Sequence, residues 1–202
     1  VGIWCAVILV TPNSSIDWKA LVPKGTDAFF TSECGSTNTL AVDAGINGAA
    51  GPSWFITSRQ TAGKGRRGRP WTSDVGNLFC SYLFQPSMQF SAITPLPFIT
   101  SLAVRDTLIE LGCHYEQVQC KGPNDVMINE QKSCGILIES SSAGAQMPAF
   151  VVIGVGINLD SSPSKTQFGA TSLAQALGHK VEPSVAFKIL AARLQSRLNS
   201  WQ

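Results

Sequence analysis

Between Val118 and Val155 four short apolar runs follow one another: Val118 to Lys121, Val126 to Asn129, Gly135 to Glu139 and Phe150 to Val155. A parallel return between strands needs a crossover of roughly a dozen residues or more. Connections this short, with turn residues such as Asn129-Glu130-Gln131-Lys132 between them, favour antiparallel neighbours. Three further runs read as strands: Ala28 to Thr31, Trp54 to Ser58 and Leu78 to Phe84.

Three segments read as helices. Gly35-Ser36-Thr37-Asn38 offers hydroxyl and amide caps for a helix through about Ile46. Pro95 to Leu111 repeats Leu96, Ile99, Ala103, Thr107 and Leu111 at helical spacing, and Gly112 stops it. Ser184 to Trp201 is expected to turn Val185, Ile189, Ala192 and Leu198 inward and Lys188, Arg193 and Arg197 outward. Clustered strands with few helices predict an α+β fold, a mixed and largely antiparallel sheet with helices mainly on one face.

At 202 residues, 44% hydrophobic and 14% charged, the chain can bury one core and is excluded from the disordered class. A net charge of +2 gives no global field that would demand nucleic acid or an anionic membrane, so neither DNA nor a membrane is expected as a partner. The six cysteines, Cys5, Cys34, Cys80, Cys113, Cys120 and Cys134, form no C-x-x-C pair; they read as free thiols of a reducing, cytoplasmic setting. Val1 to Val10 is about half the length of a membrane helix and reads as a β-type segment. Residues 11–25, with Pro12, Asn13, Ser14, Ser15, Pro23 and Gly25, read as a linker, so that 1–25 precedes a domain over 26–202.

Chemistry concentrates in a few stretches. Lys64, Arg66, Arg67 and Arg69 alternate with Gly63, Gly65 and Gly68, so the backbone can approach an anion while side chains converge on it, and Trp71 adds a flat surface suited to a base. The spacing is not that of a P-loop. Lys121-Gly122-Pro123-Asn124-Asp125 presents a cation, an amide and a carboxylate at a strand end, a pattern that a plain turn also explains. Gly154-Val155-Gly156-Ile157-Asn158 ends a strand with a donor and an acceptor in one side chain, or with an Asx turn. Ser36-Thr37-Asn38 can cap a helix or hold a polar ligand head.

In their order these segments, with Gln60 and Gly135-Ile136-Leu137-Ile138-Glu139, resemble the catalytic domain of biotin protein ligases over roughly residues 28–200. The resemblance implies a fold like that of class II aminoacyl-tRNA synthetases and two half-reactions. Biotin and ATP give biotinyl-5'-AMP, and a lysine of the biotin carboxyl carrier protein domain of a carboxylase then takes the acyl group. It implies catalytic roles for Lys64, Arg66 and Lys121. Biotin would contact Ser36, Thr37, Asn38, Gln60, Lys64, Gly65, Arg66, Lys121 and Gly135, and ATP would contact Lys64, Arg66, Arg69, Trp71, Lys121 and Asn158. Magnesium is expected with the ATP.

Two positions depart from the family: Gly122 stands where Trp is common, and Lys64 where many members have Arg, keeping the charge without the planar fork. Neither a small C-terminal β domain nor an N-terminal DNA-binding domain is expected, and a homodimer is left open. The alternatives are a lipoate or octanoate ligase or transferase of related fold, a noncatalytic nucleic-acid-binding module, and a biotin-binding pseudoenzyme.

Overall fold

The computed structural model describes residues 15–49, 51–142, 144, 147–164 and 169–201; the segment Val1 to Val10, Cys5 and the first residues of the expected linker lie outside them. In chain order the elements are β1 (Asp27–Cys34), α1 (Thr37–Ile46), β2 (Ser53–Gln60), β3 (Leu78–Phe84), α2 (Phe90–Ile93), α3 (Leu96–Glu110), β4 (Val118–Lys121), β5 (Asp125–Ile128), β6 (Gln131–Ser142), β7 (Pro148–Ile157), α4 (Leu173–Leu177) and α5 (Pro183–Trp201). The strands form one sheet in the order β1-β2-β3-β7-β6-β5-β4. Among the named strands only β1 and β2 pair in parallel, as the intervening α1 permits; β4, β5, β6 and β7 are antiparallel in succession, as their short connections require, and β2 with β3 and β3 with β7 are antiparallel as well. Asn129 and Glu130, at φ 49° and 63°, make the two-residue turn between β5 and β6, so Asn129 belongs to the turn and Gln131 and Lys132 to the longer β6.

Alternation along the strands gives the sheet two unlike faces. One carries Trp54, Ile56, Leu78, Cys80, Tyr82, Cys134, Ile136, Val151, Ile153, Val155 and Ile157, and packs against α3 and α5 in the main core. The other carries Phe55, Leu83, Phe150 and Val152 beneath Ala41 and Ala44 of α1, and beyond them Ser81, Gly135, Gly154 and Gly156. A face that changes from bulky to small residues leaves a hollow beside α1, and the hollow is where the site forms.

Two expectations need correction. In α5 the buried residues are Ala186, Phe187, Leu190, Ala191, Leu194 and Leu198, whereas Val185 is 49% exposed and Ala192 is also exposed. The larger side chains at 187, 190, 194 and 198 set the inward stripe, and Arg193 and Arg197 pair with Glu110 and Asp106 of α3 at 2.5 and 2.6 Å. In the expected linker, Trp18 is buried, stacked on Phe30 at 5.0 Å between ring centroids and edge-on to Phe187 at 5.4 Å. Residues around Trp18 therefore belong to the core, because an indole of that size gains more from burial than a short linker gains from freedom.

Candidate functional site

Gly154 lies between Ser81 of β3 and Leu137 of β6, while Gly156 lies between Phe79 and Gly135. A Cβ at Gly154 would stand 1.9 Å from Asn38 Oδ1; one at Gly135 would stand 2.7 Å from the Trp71 ring, and one at Gly156 2.6 Å from Trp71 Nε1. Asn38 and Trp71 can lie flat on the sheet only because these three positions have no side chain. The neighbour that Gly135 admits is thus the indole of Trp71.

Around this floor a hydrogen-bonded chain orients the polar wall. Gln60 Oε1 accepts from the Thr37 backbone N–H at 2.9 Å and its hydroxyl at 3.3 Å, and Gln60 Nε2 donates to Ser73 Oγ at 3.0 Å. Asn38 Nδ2 donates to Glu139 Oε2 at 2.7 Å, and Asn38 Oδ1 accepts from the Ser81 hydroxyl at 2.6 Å. Thr37 and Asn38 are therefore oriented by their neighbours. Ser36 sits at the N-cap of α1, yet its side chain makes no capping bond. Ser36 lines the first hollow with Thr37, Asn38 and Gln60.

The cations come from the loop between β2 and β3 and from the turn between β4 and β5. The loop folds back on itself through bonds from Gly65 N–H to Arg69 C=O at 2.7 Å and from Trp71 N–H to Gly63 C=O at 2.9 Å, with Arg67 at φ 58°. Lys64 Nζ donates to Thr39 Oγ1 at 3.0 Å, and Arg66 Nη1 donates to Asn124 Oδ1 at 2.7 Å. The site is two adjoining hollows. The first is lined by Ser36, Thr37, Asn38, Gln60, Lys64 and Gly135. The second, about 600 Å³, is lined by Arg67, Arg69, Lys121, Gly122, Asp125 and Asn158, within the roughly 300–1,000 Å³ of small-molecule sites. Gly65, Arg66, Trp71, Asn124 and Lys132 line both.

Every residue expected to contact biotin or ATP thus lines this double cleft, but not always in the half expected. Lys64 lines only the first hollow and Lys121 only the second. Asn158 is buried and its Nδ2 donates to Thr171 C=O at 3.2 Å. Asn77 escaped notice: its Oδ1 accepts from the N–H groups of Leu159, Asp160 and Ser161 at 2.8, 2.9 and 3.1 Å, pinning the chain that leaves β7 beside the second hollow. Ser81 gives no such sign either, since a lone serine in an apolar strand carries no signal of what lies across the sheet, and Glu139, the last residue of the Gly135 motif, is the carboxylate that accepts from Asn38. Lys132 was assigned to a turn and instead reaches both hollows.

Among the described residues no group of three or more His, Cys, Asp or Glu side chains could hold a metal, and no helix is long and apolar enough to cross a membrane. The five described cysteines are free.

Residues 32–158 match the biotin/lipoate A/B protein ligase family. The biotin--[acetyl-CoA-carboxylase] ligase of Paracoccus denitrificans is 36% identical over 175 residues, 82% of this chain and 72% of that protein. The bifunctional ligase/repressor BirA of Bacillus subtilis is 32% identical over 152 residues, and that match covers 73% of this chain but only 46% of BirA. Among solved structures, the biotin protein ligase of Aquifex aeolicus in complex with biotin and ATP superposes with a TM-score of 0.74 at 27% identity, covering 86% of this chain and 71% of that one. The family profile spans the loop of cations, the turn that opposes it and the glycine floor between them, and by that match the chain belongs to the biotin/lipoate A/B protein ligase family.

Proposed function

We propose that this protein activates biotin as biotinyl-5'-AMP and transfers it to a lysine of a biotin carboxyl carrier domain in the cytoplasm. The observation that carries the reading is the junction of the two hollows, where Arg66 and Lys132, cations from two distant stretches of sequence, line both together with Trp71. The names of the Paracoccus and Aquifex relatives support it.

In this reading the uncharged bicyclic end of biotin lies among Ser36, Thr37, Asn38 and Gln60, whose hydroxyl and amide groups both donate and accept. Its carboxylate points to Lys64, Gly65 and Arg66, and the triphosphate lies in the second hollow near Arg66, Arg69 and Lys121, with adenine against Trp71 and Asn158. A carboxylate oxygen attacks the α-phosphorus, the bond to the β-phosphate oxygen breaks, and pyrophosphate leaves with the electron pair. Two anions repel each other at this step, so fixed cations lower its barrier by neutralising charge and holding the attack geometry. The carrier lysine amine then attacks the acyl carbon, AMP leaves, and the amine loses a proton.

Magnesium accompanies ATP in this scheme. Asp125 is the carboxylate at the second hollow, and it is already paired with Lys132 at 2.8 Å. The described residues therefore offer no oxygen cage, and the ion would be carried on phosphate oxygens.

Incubation with ATP, magnesium and labelled biotin, with and without a carrier domain, tests the reading. Biotinyl-AMP from the chain alone and label on the carrier lysine are expected. Turnover of lipoate and not biotin would move the assignment to the other branch of the family, and nucleic-acid binding with neither product would reject it.

A further inference from the structure

Ser81 has no exposed surface and lies in β3 between Phe55 of β2 and Gly154 of β7. A buried hydroxyl needs partners, and Ser81 Oγ has two: Asn38 Oδ1 at 2.6 Å and Thr37 Oγ1 at 2.8 Å. A hydroxyl has one proton to give. Which way these two bonds run is therefore set by what lies beyond them.

At one end stands Glu139, whose carboxylate only accepts. Asn38 turns Nδ2 toward Glu139 Oε2 at 2.7 Å and toward Leu137 C=O at 3.4 Å, which leaves Oδ1, another pure acceptor, against Ser81. Ser81 must then donate to Asn38, and only a lone pair remains for Thr37. At the other end Ser73 gives its proton to Trp71 C=O at 3.2 Å and accepts from Gln60 Nε2 at 3.0 Å, so Gln60 Oε1 faces Thr37.

The Thr37 hydroxyl thus meets acceptors on both sides, Ser81 Oγ at 2.8 Å and Gln60 Oε1 at 3.3 Å. Its proton stays inside the wall with either partner. Toward the first hollow, which Thr37 lines, the hydroxyl can only accept.

Resting on the proposed substrate, we infer that Glu139 and Ser81 are specificity-determining positioning residues. Acting through Asn38 and Thr37, they hold the Thr37 hydroxyl as an acceptor. The first hollow therefore selects an acid whose uncharged end carries an N–H donor, as a cyclic urea does, over one that ends in a sulfur ring or a bare alkyl chain. A ring with acceptors alone would set lone pair against lone pair and leave a buried polar group unpaired, which is how a polar site rejects an analogue that lacks one donor.

Calorimetric titration with biotin, and with the two cyclic carbamates in which oxygen replaces one urea N–H or the other, tests this in wild type, Ser81→Ala, Glu139→Leu and Glu139→Gln, with melting recorded for each. Wild type is expected to bind biotin about 10–100-fold tighter than the carbamate whose ring oxygen meets Thr37. Ser81→Ala and Glu139→Leu loosen the hold on the Thr37 proton. They should lose about 10-fold in biotin affinity and little for that carbamate, so that the preference narrows. Glu139→Gln, whose amide oxygen still accepts from Asn38, should keep most of the preference. A wild type that binds biotin and both carbamates equally, or a preference unchanged in Ser81→Ala and Glu139→Leu, overturns the relay and leaves the function standing. Equal losses for biotin and carbamate, or failure of both variants to fold, make the two residues structural and also overturn it. A wild type that binds no biotin rejects the function and this role together.

Discussion

Arg66 and Asn124, 58 residues apart in sequence, meet through a bond of 2.7 Å from Nη1 to Oδ1, which fixes the guanidinium at the junction of the two hollows. Asn124 is itself held to β6, donating from Nδ2 to Ile136 C=O at 3.0 Å. A hydrogen bond to a charged group contributes about 1.5–3 kcal/mol, so Asn124→Ala should slow adenylate formation about 10–100-fold. Rapid-quench measurement of biotinyl-AMP checks this; an unaltered rate would show that Arg66 needs no such anchor.

Trp71 depends on the missing side chains beneath it. A methyl at Gly135 would stand 2.7 Å from the ring, so Gly135→Ala must push the indole off the sheet. The expected result is a several-fold higher KM for ATP and a lower melting temperature, with Trp71→Leu recovering part of the melting loss in the double variant. Steady-state kinetics and calorimetry are the measurements, and equal kinetics in Gly135→Ala would contradict the placement of Trp71 against the nucleotide.

Gly122 has open space around its Cβ direction and no positive φ. Gly122→Trp should therefore be accommodated without loss of melting temperature and should add an aromatic wall to the second hollow, a contact of about 1 kcal/mol. Titration with ATP is expected to show several-fold tighter binding; a destabilised variant would mean that the turn cannot carry the ring.

Burial pushes the Cys80 and Cys134 thiols above their ordinary value of 9.0 and the Tyr82 hydroxyl from 10.0 to about 12. Above pH 9 the unfolded chain releases these protons while the folded chain keeps them, so the unfolded state binds fewer protons and stability falls as pH rises. The contribution is complete below pH 9 and declines through the range to about 12. Melting temperatures recorded from pH 7 to 11 should drop beyond pH 9, and a flat profile would show that these groups are hydrated in the folded protein.

Much of the fold was legible because strand and helix periods are local properties. Leu78 to Phe84 was read with the bounds it has, and Gly112 does follow α3. The facing of α5 was misread because Val185, Ile189 and Ala192 also recur at helical spacing; size decides between such stripes, and Phe187 with Leu190 and Leu194 are the side chains α3 and the sheet can bury. The cationic loop and the opposing turn were each visible as motifs, and the family resemblance placed them in one site.

The chain's own order of residues determined seven strands, the short links that make most of them antiparallel, and two separate cationic stretches. Those follow from spacing and side-chain type along a few neighbouring positions. Tertiary pairing alone decided that Asn38 is locked on Gly154 and that Trp71 rests on Gly135 and Gly156. It also decided that Ser133, which has no counterpart in β5 where Val126 pairs with Cys134 and Met127 with Lys132, brings Lys132 to the site face. A bulge is a mismatch between two strands, so its consequence exists only once β5 and β6 lie side by side.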